Sequence, residues 1–150
     1  MDEKRFKEII DFAISREVEA AKFYNELQNV AKLDSSKHLL KDLENMEYGH
    51  KKVLENFKNE GLSDYSPKNL TDLGIGDFLA EVAVHKEMTF QEILIVAIKR
   101  EENAFKLYKA LADEADNPET KNLFLKLADE EAKHKNYLET IYDQEIYVEN

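Results

Sequence analysis

The chain lacks cysteine and tryptophan entirely, and its 150 residues include only two prolines and four glycines. Without cysteine, disulfides, thiolate metal sites and cysteine nucleophiles are excluded. The scarcity of glycine and proline, together with 35% charged residues, favours helices over a sheet. The longest apolar run covers only residues 93–98, which is far short of the length that crosses a membrane. These absences predict a helical protein whose helices do not cross a membrane.

Positive charge is also scarce, because 21 basic residues face 32 acidic residues and the net charge is −11. This balance disfavours sequence-independent binding to nucleic acid and docking on anionic lipid. The acidic balance is compatible with the binding of metal cations. The first residues carry charges of both signs before a short amphipathic run, which is unlike a signal peptide. We therefore expect one cytoplasmic domain over residues 1–150.

Apolar residues recur at steps of three and four over four long segments, as they do in amphipathic helices. Thr89 and Glu92 form a capping box before the third segment. Asn117 followed by Pro118 is a favourable start for the fourth, and Asp34 or the serine after it can cap the second. The predicted helices cover residues 2–32, 35–60, 90–115 and 118–142.

The connections between these helices are short, long and short. Nearly thirty residues separate the second helix from the third, and they include a short helical pattern, DFLAEVAVHKEM, at residues 77–88. This order predicts an all-α four-helix bundle in which two helical hairpins are joined by one long crossover. The last eight residues, from Asp143 onward, are expected to form either a frayed tail or an arm that docks on a partner.

The two halves of the chain repeat one another at a distance of 84 residues. Residues 13–58 align with residues 97–142 without a gap, and 17 of the 46 positions are identical. Chance would give about three or four identities with this composition, so the match indicates an internal repeat. We expect two similar hairpins that face each other across a pseudo-twofold axis.

Polar residues interrupt the apolar faces of all four helices at positions that point to the core. Each half contributes one glutamate from its first helix and a Glu-x-x-His pair from its second. The six residues are Glu17, Glu47, His50, Glu101, Glu131 and His134. The three-residue spacing places each paired Glu and His on one helix face, about one turn apart. All six side chains are therefore expected to meet inside the bundle.

Four carboxylates in an apolar core cannot remain charged and unpaired, because burying even one costs on the order of several kcal/mol. No lysine or arginine occupies the same helix faces. Two divalent cations would neutralise the four charges, and two neutral imidazoles would complete the ligand set. Mixed oxygen and nitrogen ligands suit Fe²⁺ or Mn²⁺. The alternative interpretation is a metal-free bundle whose acids are protonated or hydrated.

Two tyrosines accompany the core acids. Tyr24 and Tyr108 lie seven residues after Glu17 and Glu101, two turns along the same helix faces. They are candidates to hydrogen-bond the ligand carboxylates, although a half-buried core tyrosine fits the same pattern. Other candidates are assigned structural positions: His38, His85, Glu19 and Glu102 at the surface, and Met46 and Met88 in packing contacts.

The repeated pattern A-I-x-R-E-x-x-A-x-x-x-Y, with E-x-x-H on the next helix, resembles the ferritin-like di-iron carboxylate superfamily. It is most similar to the helical domain of the rubrerythrin family, over nearly the whole chain. The resemblance implies terminal, bridging and imidazole ligands, which are in that order Glu17 and Glu101, Glu47 and Glu131, and His50 and His134. Family members reduce peroxide or react with O₂, and many form dimers, so a homodimer is expected.

Two departures from the family pattern bear on activity. Rubrerythrins usually carry a rubredoxin module whose four cysteines supply electrons, whereas this chain has no cysteine, so a separate electron donor protein is expected. They also typically carry an extra glutamate three residues after the third-helix ligand, where this chain has Ala104, with Ala20 in the repeat. That glutamate is tied to metal movement during peroxide reduction, so its absence puts peroxidase activity in doubt. The small side chains leave space for an oxidant instead.

The sequence and its resemblance thus predict an oxidoreductase in which two reduced metals deliver two electrons to O₂ or H₂O₂. One alternative is an iron-oxidising protein. It is expected to form no storage cage, because cages of this superfamily usually use a further short helix after the fourth. A non-catalytic module that its metals hold together is the other alternative. Nothing in the sequence indicates an organic substrate pocket or an oxygenase partner.

Overall fold

Four long helices form the structure, a computed structural model that describes residues 2–61 and 88–147. They are α1 (Asp2–Leu27), α2 (Asp34–Asn56), α3 (Phe90–Glu114) and α4 (Pro118–Tyr142). Helix α2 continues into a π-helical turn, Phe57–Gly61, and α4 continues into another, Asp143–Tyr147. None of the described residues lies in a strand, so the predicted all-α four-helix bundle is confirmed. The short helix predicted in the crossover lies outside the described residues, apart from Met88.

Helices α3 and α4 begin at the caps that the sequence predicts. The Thr89 hydroxyl accepts from the backbone N–H of Glu92, and the Glu92 carboxylate accepts from the backbone N–H of Thr89, each at 3.1 Å. At the start of α4, the Asn117 side chain accepts from the backbone N–H of Thr120 at 2.8 Å. These bonds satisfy donors that have no partner within the helix, and so they fix where each helix starts.

Helix α1 is shorter than predicted, since it ends at Leu27 instead of near Lys32. The backbone tightens at this point, because the N–H groups of Val30 and Ala31 both donate to the carbonyl of Leu27 at 3.0 Å. Ala31 nevertheless remains buried, at 4% exposure. The apolar periodicity therefore continued past the end of the helix, because a turn kept the same side chain in the core.

Helix α2 begins without the cap that was predicted from Asp34 or the serine after it. Its N-cap residue is Leu33, which makes no side-chain cap hydrogen bond. Beside it, the carboxylate of Glu145 accepts from the backbone N–H groups of Lys32 and Leu33, each at 2.9 Å. Glu145 belongs to the π-helical turn after α4. That turn therefore binds the α1–α2 connection of its own chain, so the expectation of a frayed tail is wrong over residues 143–147.

Each helix buries one face in the bundle. Helix α1 packs against α2, α3 packs against α4, and α2 also contacts α4. One apolar cluster contains Phe6, Phe57 and Phe124, whose rings meet edge to face with centroids 5.4–6.5 Å apart. A second cluster, which includes Leu40 and Leu138, lies toward the other end of the bundle. None of the described helices has an apolar stretch long enough to cross a membrane.

Candidate metal centre

The six core-facing residues that the sequence singled out meet between the two apolar clusters. Helices α1 and α3 each supply one of them, and α2 and α4 each supply two from adjacent turns of one helix face. None of the six is more than 4% exposed: Glu17, Glu47, His50, Glu101, Glu131 and His134. Since the apolar clusters close the bundle on both sides, the structure brings all of these groups together away from bulk solvent.

Their ligand atoms form two overlapping groups of four residues, in each of which the atoms all lie within 4.8 Å of one another. Glu47 and Glu131 belong to both groups. Glu17 and His50 complete the first group, and Glu101 and His134 complete the second. A shift of 84 residues converts one group into the other, so the internal repeat produces two matched positions that share two carboxylates.

The shortest contacts join residues of different hairpins. Nδ1 of His50 lies 2.7 Å from Oε1 of Glu131, and Nδ1 of His134 lies 2.6 Å from Oε1 of Glu47. The two imidazole rings are nearly parallel, with an interplanar angle of 8° and centroids 5.4 Å apart. Both rings therefore present Nδ1 to the shared carboxylates.

Seven buried polar atoms of these residues make no hydrogen bond. They are one oxygen of each carboxylate (Oε2 of Glu17 and Glu101, Oε1 of Glu47 and Glu131), Nδ1 of both histidines, and Nε2 of His134. Buried polar atoms almost always have a hydrogen-bond partner. Here six of the seven converge at close range without hydrogen-bond geometry, and four are carboxylate oxygens. Such a donor set fits cations better than it fits a network of protein hydrogen bonds.

The same crowding perturbs proton binding. Burial raises the pKa of Glu47 and Glu131 well above the ordinary range, and the carboxylates around them raise it further. Burial acts on Glu101 in the same direction, but its close contacts with Glu131, His134 and Tyr24 outweigh this effect and lower its pKa. Burial lowers the pKa of His50, whereas its contacts with Glu17 and other carboxylates outweigh that effect and raise it. Without a cation, the centre therefore retains protons on its shared carboxyls.

A tyrosine from each hairpin reaches across the bundle to a carboxylate of the other hairpin. The hydroxyl of Tyr108 donates to Oε1 of Glu17 at 2.5 Å, and the hydroxyl of Tyr24 donates to Oε1 of Glu101. Burial and then the nearby carboxylates raise the pKa of both phenols well above the ordinary range, so both remain donors. Each phenol holds one carboxylate oxygen in place and leaves the other, Oε2, directed at the centre.

The sequence analysis did not predict one residue that contacts the centre. Nε2 of His50 lies within 2.5 Å of Oε2 of Glu130, whose side chain is 34% exposed. Glu130 precedes Glu131 in α4 and so falls off the core-facing positions that the apolar pattern defines. Its counterpart in the repeat is Met46, so the repeat does not reveal it either. This mismatch beside two matched Glu-x-x-His pairs was the only available signal.

A small cavity of about 40 Å³ adjoins the centre between α1 and α3. Ala20 and Ala104 form part of its wall, together with Glu17 and Glu101. A single water needs roughly 10–15 Å³ of such space. The cavity therefore has room for a molecule of a few atoms, such as O₂ or H₂O₂.

None of the residues that were assigned structural positions and that the structure describes belongs to the ligand groups. His38 is exposed, and Met46 and Met88 are partly buried. Glu19 pairs with Arg16 at 3.3 Å, and Glu102 pairs with Lys99 and Lys135 at 3.8 and 3.5 Å. His85 lies outside the described residues.

Comparison with protein families gives one further finding. The family model described as Rubrerythrin matches residues 8–72 and 92–150, which include most of both hairpins and all six residues of the centre. Neither the curated proteins nor the solved structures give a match. The family match spans well over half of the chain and agrees with the four-helix architecture. The chain therefore belongs to the rubrerythrin family of ferritin-like di-iron proteins.

Proposed function

We propose that the centre holds two divalent cations. Glu47 and Glu131 would each contact both ions, because they alone belong to both ligand groups. The remaining ligands divide into one pair for each ion, which are Glu17 with His50 and Glu101 with His134. The convergence of unpartnered, buried carboxylate oxygens supports this assignment.

Charge and donor type favour iron or manganese at these positions. Four carboxylates and two divalent ions sum to zero, which removes the cost of burying the acids. Oxygen and imidazole ligands bind Fe²⁺ and Mn²⁺ alike. Iron is our first choice because the chain belongs to a di-iron family, and manganese is the alternative.

We further propose that the protein is an oxidoreductase that reduces peroxide or O₂ in defence against oxidative stress. When bound and reduced, the two metals would supply two electrons and Lewis acidity to an oxidant. The observation that carries this proposal is the cavity beside the ligand groups, whose volume of about 40 Å³ suits a small oxidant. Ala104 stands where the family typically has a glutamate, so the cavity wall offers no extra carboxylate to a moving metal there.

The chain's own residues would prepare the centre for this reaction. Tyr24 and Tyr108 hold Oε1 of Glu101 and Glu17 by hydrogen bonds and so restrict rotation of those carboxylates. Their raised pKa keeps the phenols protonated, which allows them to donate to a carboxylate throughout. The apolar clusters at both ends of the bundle exclude bulk water, which strengthens electrostatic interactions inside.

The remaining proposals concern the setting of the reaction. The 150 residues contain no cysteine, so a four-thiolate rubredoxin site is not among them, and we propose that a separate protein supplies electrons. We also propose a homodimer, a cytoplasmic location and a single domain over residues 1–150. The net charge of −11 supports a donor whose contact surface is basic.

Anaerobic loading followed by oxidation tests the proposed function. The protein is loaded with two Fe²⁺ for each chain and mixed in a stopped-flow instrument with one equivalent of H₂O₂ or with O₂. We expect oxidation much faster than that of Fe²⁺ in the same buffer. Glu131→Gln removes a shared ligand and should lose this acceleration, whereas Glu102→Gln alters only a surface acid and should keep it.

The outcomes separate the alternatives. If oxidation is no faster than in buffer while metal removal unfolds the protein, the metals only hold the bundle together and the redox proposal is rejected. If excess Fe²⁺ is oxidised repeatedly and O₂ is consumed in preference to H₂O₂, an iron-oxidising function replaces it. Size-exclusion chromatography tests the homodimer, which a monomeric elution volume would contradict.

A further inference from the structure

The two histidines of the centre differ in what their outer nitrogens contact. Nε2 of His50 lies within 2.5 Å of the Glu130 carboxylate. Nε2 of His134 is buried and makes no hydrogen bond. The four-residue ligand groups, the tyrosine contacts and the Nδ1 contacts of the imidazoles are matched between the hairpins, so each hairpin serves as a control for the other.

The difference follows from one unmatched position of the repeat. Glu130 lies one turn before His134 in α4, and Met46 lies one turn before His50 in α2. Both residues line a groove between α2 and α4. A thioether is only a weak acceptor, so Met46 cannot replace the carboxylate that Glu130 provides. The repeat therefore supplies an acidic partner to one imidazole and an apolar residue at the equivalent place.

A carboxylate in this position changes how an imidazole binds metal. When Nδ1 is the ligand atom, the ring carries its proton on Nε2, and that N–H donates to the carboxylate. The hydrogen bond fixes the tautomer and the ring orientation, and it makes Nδ1 a stronger donor. Loss of such a partner typically weakens metal binding by about 10–100-fold.

We propose that the two metal positions are inequivalent, and that Glu130 makes the position of Glu17 and His50 the tighter one. This inference rests on the proposed two-metal centre. Glu130 is a positioning residue, since it acts through His50 and is not one of the ligands. The ion held by Glu101 and His134 binds second and leaves first, so partial loading produces one defined single-metal form.

Titration with Co²⁺ in anaerobic buffer tests this inference, because Co²⁺ reports each filled position by visible absorption and does not require turnover. The wild-type protein should bind two ions in two steps whose constants differ by about 10–100-fold. In Glu130→Met the first constant should fall by that factor, so that the two steps merge. Glu130→Gln retains an acceptor oxygen without the charge and should lose less.

The reciprocal change provides a gain instead of a loss. Met46→Glu places a carboxylate at the position that the repeat relates to Glu130. The His134 imidazole should then gain the acidic partner that it lacks, which should strengthen the second binding step. Glu130 is one-third exposed and Met46 is partly buried, so both variants should keep the helical circular dichroism of the wild type. A purely structural effect of Glu130 would shift the unfolding midpoint without changing the ratio of the two constants.

The possible failures are distinguishable. If the wild-type chain binds fewer than two Co²⁺, the proposed two-metal centre itself is wrong. If it binds two ions with equal affinity, or if Glu130→Met leaves the ratio of the constants unchanged, the centre stands and the inequivalence is refuted.

Discussion

Removal of metal should make the stability of this protein depend steeply on pH. Burial and neighbouring carboxylates raise the pKa of Glu47 and Glu131 above the ordinary value of 4.5. Between that value and the raised pKa, each carboxyl stays protonated in the folded chain and ionises in the unfolded chain. The unfolded state then binds fewer protons, so the free energy of unfolding falls as pH rises.

The size of this effect follows from the number of retained protons. Each one changes the free energy of unfolding by about 1.4 kcal/mol for each pH unit. Two such carboxyls over two pH units give an upper limit of about 5.5 kcal/mol, comparable with the whole stability of many domains, about 5–15 kcal/mol. His50 acts in the same direction, because its pKa is raised and its contribution is lost as pH rises through that value. Glu101 has a lowered pKa, so its contribution to the free energy of unfolding is already complete above pH 4.5 and does not vary at higher pH.

Urea unfolding of the metal-free protein between pH 5 and pH 7, followed by circular dichroism, measures this slope. Glu47→Gln removes one titrating carboxyl without changing the side-chain size, so its slope should be clearly smaller than that of the wild type. Metal binding displaces the same protons, and the loaded protein should therefore lose this dependence. A metal-free protein whose stability is constant or increases over this range would refute the account of the core acids.

Four further substitutions test individual parts of the centre. Glu47→Ala and Glu131→Ala each remove a shared ligand, so elemental analysis should find that most of the bound metal is lost. The control variant Glu102→Ala should retain two ions. Two ions in either core variant would contradict the ligand assignment. Tyr108→Phe leaves Oε1 of Glu17 buried without its hydrogen-bond donor, and titration calorimetry should show Co²⁺ binding weakened by about 1–3 kcal/mol. An unchanged affinity would show that this hydrogen bond does not contribute to metal binding. Ala104→Leu fills the cavity beside the centre and should slow oxidation by H₂O₂ at least tenfold with two ions still bound; a wild-type rate would place the oxidant elsewhere.

The sequence predicted most of what depends on local rules and on the repeat. The caps of α3 and α4 involve residues three positions apart, so they could be identified from spacing alone. The six residues of the centre could be identified because charged side chains interrupt apolar faces twice in the same register. In these cases the physical cause lies within one helix or within one repeat unit.

The remaining features depend on contacts between distant parts of the chain. Leu33 precedes α2 without a side-chain cap, where Glu145 holds the neighbouring backbone from a position 112 residues away. Glu130 meets His50 across the bundle, from a helix position that the apolar pattern marks as exposed. Tyr24 and Tyr108 were placed near carboxylates, but their partners belong to the opposite hairpin. No periodicity along one helix contains that information.

The internal repeat has a consequence for how such a centre can diversify. If one hairpin paired with an identical copy of itself, every substitution would appear twice, and both ions would have to keep equal surroundings. Once the two hairpins are encoded separately, a change on one side leaves the other side untouched. Met46 and Glu130 differ in this way, beside ligands that remain the same in both halves. Two hairpins within one chain thus permit an asymmetry that a symmetric pair of identical hairpins could not have.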